Sequence, residues 1–61
     1  MKNYVIHFDA ADKEKVIDLI RHFSHDVIID RQENNMVAIT IQQDDEQADV
    51  IYHNLLDELM D

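Results

Sequence analysis

Val27-Ile28-Ile29-Asp30-Arg31-Gln32-Glu33-Asn34-Asn35-Met36-Val37-Ala38-Ile39-Thr40-Ile41 is the stretch that decides the fold of this chain. Two β-branched runs flank a polar segment that ends in Asn-Asn. β-Branched side chains favour extended backbone. Asn tolerates the left-handed conformation that tight hairpin turns require. The chain contains no Gly, so Asn34 and Asn35 are the residues that substitute for it. The stretch predicts a β-hairpin with strands over residues 27–31 and 36–41 and a turn near Glu33 to Asn35. In the later strand Val37, Ile39 and Ile41 share one face, and Met36, Ala38 and Thr40 share the other. The larger set is expected to meet the helices. In the earlier strand Val27, Ile29 and Arg31 oppose Ile28 and Asp30, and so short an apolar run leaves its parity open.

Upstream, residues 2–8 alternate as a first strand, with Tyr4, Ile6 and Phe8 expected inward and Asn3, Val5 and His7 outward. Asp9 can cap a helix, and Asp12 and Glu14 suit the positive end of the helix dipole. Val16, Leu19, Ile20 and Phe23, with Ile17 beside them, form the apolar stripe of an amphipathic helix over about residues 10–24. Ser24, His25 and Asp26 make a short link into the hairpin. Downstream, Asp44 or Asp45 caps a second helix over about residues 45–60. Its stripe is Ala48, Ile51, Tyr52, Leu55, Leu56 and Leu59, with Met60 at the edge.

The expected fold is one α+β domain over residues 1–61, in the order β-α-β-β-α. A right-handed crossover through the first helix leaves room for the third strand between the first two. The result is a three-stranded antiparallel sheet of order 1-3-2 with both helices on one face. This order resembles the ferredoxin-like βαββαβ pattern without its last strand. The resemblance covers element order alone, carries no motif and implies no activity. In the complete pattern the last strand would pair with the first. Its absence leaves an open edge at Tyr4, Val5, Ile6 and His7, a template for pairing with another chain. A homodimer is therefore expected, through that edge or through the uncovered face carrying Val5, Ile28, Met36 and Ala38.

At 61 residues a chain buries only about 60% of the surface its unfolded form exposes, so reinforcement by a partner subunit is favoured. There is no Cys, which excludes disulfides, thiolate metal sites and cysteine nucleophiles. The lack of Gly and Pro excludes Gly-rich phosphate cradles and dinucleotide fingerprints. No apolar run reaches the roughly 20 residues that span a bilayer, and no signal-peptide pattern follows Lys2. A cytoplasmic location is expected by default. The net charge of −9, from 14 acidic and 5 basic residues, repels nucleic acid and anionic membrane surfaces and permits a basic protein partner.

Asp44, Asp45, Glu46, Asp49, Asp57, Glu58 and Asp61 fall within residues 44–61, which hold no Lys or Arg. The first four suit the start of a helix. Asp57, Glu58 and Asp61 oppose the dipole at its end, at about 0.3 to 1 kcal/mol each. A chain arranged only for its own stability would place Lys there. With Tyr52, Leu56 and Met60 these acids form the candidate partner-binding surface, if those three side chains are exposed rather than core.

His22 and His25 at a helix end, beside Asp26, are two candidate metal ligands of the three or four a zinc site needs, and His7 and His53 could join them only by folding. No metal site and no cofactor are assigned. Catalysis is not expected, because no nucleophile or enclosing pocket is visible in so short a chain. Asp30 is the one acid within a strand, where it is expected to pair with a cross-strand group such as Thr40 or to blunt an edge. The leading expectation is a small acidic, non-catalytic protein-interaction or regulatory module that neutralises a basic protein. The alternatives are a small-molecule sensor with its ligand at a dimer interface and a His-based metal-binding protein.

Overall fold

The computed structural model describes residues 1–23 and 26–60. The elements are β1 (Lys2–His7), a 3-10 turn (Ala10–Asp12), α1 (Lys13–Phe23), β2 (Val27–Glu33), β3 (Met36–Ile41) and α2 (Asp45–Leu59). The sheet is antiparallel, with strand order β1-β3-β2. Ser24, His25 and Asp61, which the sequence placed at a helix end, in a metal pair and in the acidic surface, lie outside the described residues.

The core forms where the predicted inner faces meet. β1 gives Ile6, β3 gives Val37, Ile39 and Ile41, α1 gives Val16, Ile17 and Ile20, and α2 gives Ala48 and Leu55. Both helices therefore cover the same face of the sheet. Tyr4, Phe8, Leu19, Phe23, Val27 and Ile29 pack around this cluster, half-buried. α2 starts where the sequence allows: Asp44 Oδ1 accepts from Gln47 N–H at 2.9 Å, and the Asp44 carbonyl accepts from Ala48 N–H at 2.8 Å. Its side chain thus caps one of the otherwise unpaired first-turn donors.

Three local expectations are corrected. Asp9 caps no helix with its side chain; its carbonyl accepts from Asp12 N–H at 2.8 Å, and Ala10–Asp12 form a 3-10 turn before α1 begins at Lys13. Ala10 and Ala11 are exposed, so no apolar stripe holds that turn against the sheet. The hairpin reverses through Asn34 and Asn35, but no described residue has positive φ, so the left-handed capacity of Asn is not used. β2 also runs on to Glu33, opposite Met36.

The third correction concerns strand parity. Ile29 pairs with Ile39, and Arg31, not Asp30, pairs with Ala38. Asp30 is the extra residue of a β-bulge, which shifts every later side chain to the opposite face. Without it Arg31 would follow Val27 and Ile29 onto the core side, where an unpaired guanidinium is costly. With it Arg31 joins the open face and pairs with Glu33 at 3.0 Å.

Candidate functional site

Phe8 N–H donates to the Asn35 carbonyl at 3.0 Å. Hydrogen bonding alternates along an antiparallel strand. The backbone of Lys2, Tyr4 and Ile6 therefore faces β3, and that of Asn3, Val5 and His7 faces away. β1 is an edge of the sheet, and no described strand pairs with its outer side. Of the four residues expected at a pairing edge, Val5 and His7 turn backbone groups outward. Tyr4 and Ile6 instead send their side chains toward the helices.

α2 lies along this edge and runs in the same direction as β1. At the start of β1, Asp49 Oδ1 accepts from Lys2 Nζ at 2.7 Å and from the Tyr4 hydroxyl at 2.6 Å. One turn on, Tyr52 stacks on Tyr4, with ring centroids 4.1 Å apart and planes 13° from parallel. At the far end Leu56, Leu59 and Met60 stand beside Ile6 and Phe8. Positions 49, 52, 56 and 59 follow helical spacing, so one row of α2 follows the strand from end to end. Tyr52 and Leu56 are half-buried, and Met60 is 87% exposed. Asp57 and Glu58 are exposed on the last turns of α2.

The Lys2–Asp49–Tyr4 cluster is electrostatically coherent. The hydrogen bonds from Lys2 and then Tyr4 hold the Asp49 carboxyl below its usual range. The same bond raises Lys2. Burial, then the bond to Asp49, pushes the Tyr4 phenol up to about 12. At neutral pH this phenol is a hydrogen-bond donor that joins β1 to α2, not a base.

A cleft of about 220 Å³ opens where β1 ends. Its walls are Ile6 of β1 and Phe8 just after it, Val16 of α1, and Leu56, Leu59 and Met60 of α2 or its end. Asp12, Lys15 and His7 also line it. On the open face of the sheet, Val5 is 52% and Ile28 41% exposed, while Met36 and Ala38 are half-buried. Thr40, buried among them, shares its hydroxyl with the Asp30 carboxylate and, at 2.7 Å, Asn3 Oδ1. One hydroxyl proton serves one acceptor at a time. Asp30 thus has the cross-strand partner its position suggested.

His22 Nδ1 donates to the Asp18 carbonyl at 2.7 Å, within its own helix. Among the described residues no three His, Asp or Glu side chains gather closely enough to hold a metal ion. No described helix is long and apolar enough to cross a membrane. The link from Lys2 and Tyr4 to Asp49 and Tyr52 is the feature the sequence reading missed. Each pair shares a face of its own element, but nothing in sequence signals that the two faces meet across some 45 positions. Compared with protein-family models, curated proteins and solved structures, the chain matches none of them.

Proposed function

We propose that this chain is a non-catalytic protein-interaction module that takes an extended segment of another protein onto the β1 edge, alongside α2. The observation that carries this reading is one juxtaposition. The outward backbone groups of Asn3, Val5 and His7 lie beside the partly exposed row of Tyr52, Leu56 and Met60. Strand addition at such an edge supplies main-chain hydrogen bonds, and neighbouring side chains supply selectivity. The net charge of −9, and the lack of Lys or Arg in residues 44–61, make a basic segment the complementary one.

A second copy of the chain is the other occupant, favoured by the symmetry of the edge. The three outward residues are centred on Val5. A two-fold antiparallel pairing sets Val5 against Val5 and Asn3 against His7 of the second copy, and fuses the two sheets. The two occupants respond oppositely to salt. Salt screens the repulsion between two chains of charge −9 and strengthens the homodimer; it weakens attraction to a basic segment.

Size-exclusion chromatography with light scattering, over a series of protein and salt concentrations, tests both occupants, together with capture of basic proteins at low salt. The expected results are a salt-strengthened dimer, or a salt-weakened basic complex, either one abolished by Val5→Pro. A folded Val5→Pro variant that retains both associations contradicts the edge reading.

A further inference from the structure

We propose that the segment received on β1 carries one large apolar side chain, seated in the cleft at the end of β1, with Lys or Arg two residues before and after it. This rests on the strand-addition reading and specifies its partner. His7 has its backbone turned to the free edge and also lines the cleft. A strand running along β1 past His7 therefore brings its own inner-face side chains, those opposite Ile6 or Phe8, over the cleft mouth. Side chains on that face recur every second residue.

The volume decides what fits. About 220 Å³ lies below the roughly 300 to 1,000 Å³ of small-molecule sites and suits a single aliphatic or aromatic side chain. The walls are apolar on three elements, and Met60, 87% exposed, stands open as one of them. An anchor in an apolar pocket, ringed by steering charges, is the arrangement that concentrates binding energy at interfaces. One acid and one base line the cleft, so the charge that favours a cation is that of the whole chain, at net −9. Asp12 lines the cleft, Asp57 and Glu58 are exposed on the adjacent turns of α2, and Lys15 is the one lysine or arginine in the lining. Cationic side chains two positions from the anchor lie on the same face as it, where the net negative charge of the chain attracts them. The second, open cleft, beside Lys13, Glu14, Asp18, Arg21 and Gln32, has mixed charge that selects no ligand.

The test is fluorescence anisotropy at low salt with a labelled heptapeptide, Thr-Lys-Val-Leu-Val-Lys-Thr, and a version with Ala in place of Leu. The Leu peptide is expected to bind about tenfold or more tightly than the Ala version. In Met60→Asp, a substitution at an exposed position that leaves the fold intact, that preference is expected to collapse to less than about threefold. Equal, salt-weakened affinity for the Leu and Ala peptides overturns the anchor and leaves strand addition standing. An undiminished Leu preference in Met60→Asp overturns the placement of the anchor in this cleft. Failure of every peptide to bind overturns strand addition of a basic segment itself, and the anchor with it.

Discussion

Tyr52 of α2 lies flat on Tyr4 of β1, ring centroids 4.1 Å apart, while the Tyr4 hydroxyl donates to Asp49 one turn earlier in the same helix. Two contacts thus fix α2 along a strand whose outer side has no described partner. The chain holds two tyrosines, so Tyr52→Phe keeps the stack and leaves Tyr4 as the sole phenol. Its titration, followed by near-ultraviolet absorbance, is expected to have a midpoint raised above the ordinary 10.0, by burial first and then by the bond to Asp49. In Asp49→Asn the midpoint moves down toward the ordinary value of 10.0, because a carboxylate no longer opposes the phenolate. An unchanged midpoint in Asp49→Asn contradicts the hydrogen bond.

The same cluster sets a stability window. Tyr4 and Lys2 are raised in the folded chain, so their contribution is complete below their unfolded values of 10.0 and 10.5 and is lost as pH rises through the folded ones. Asp49 is lowered, so its contribution is complete above the unfolded value of 3.8 and is lost as pH falls through the folded one. Urea unfolding at a series of pH values is expected to show the cluster contributing fully between these limits. In Tyr4→Phe the Tyr4 part of the alkaline loss disappears.

Asp57→Lys and Glu58→Lys are expected to stabilise the chain by about 0.3 to 1 kcal/mol each, since a cation suits a helix C-terminus where a carboxylate does not. The same substitutions weaken capture of the basic heptapeptide. Chemical denaturation and anisotropy read the two effects separately. Opposite signs are the mark of charges retained for a partner, whereas unchanged peptide binding would make them a solvated face only.

Most of the fold was legible in the sequence because period and capping agree with burial. Val37, Ile39 and Ile41 alternate and are wholly buried; Asp44 precedes the second stripe and caps it. The bulge at Asp30 was not legible, because Ile28, Ile29 and Asp30 fit either face until Arg31 has to be kept off the core. The candidate edge was legible in outline from the element order, which gives β1 a single strand neighbour, β3. Which of its residues turn outward was not, because that follows from the phase of the Phe8–Asn35 hydrogen bond. The stripe of α2 identified Tyr52 and Leu56 without placing them over β1.

Leu55→Ala removes a wholly buried side chain from α2 and is expected to cost about 2 to 5 kcal/mol. A core of this size rarely supplies more than about 3 to 5 kcal/mol. Circular dichroism is expected to show a largely unfolded variant. By contrast Asp44→Ala loses about 1 kcal/mol with its cap and remains folded. A stable Leu55→Ala chain would mean that reinforcement by a partner outweighs the core.

Val5→Pro removes one outward N–H and leaves the bonds from β1 to β3 in place, because proline is tolerated at a strand edge. The circular dichroism spectrum is expected to be retained while light scattering loses the dimer. If both spectrum and association are lost, Val5 bonds to β3 and the deduced phase is wrong.

Residue-resolved amide hydrogen exchange is the most direct measurement of the central claim, that β1 is a pairing edge. In the dilute chain, amides of Tyr4, Ile6 and Phe8 are expected to exchange slowly and those of Asn3, Val5 and His7 fast. With the Leu-centred heptapeptide bound, or at a concentration and salt where light scattering gives a dimer, Asn3, Val5 and His7 become slow as well. If those three amides stay fast in a complex of proven stoichiometry, the contact lies elsewhere and the β1 edge is not the site.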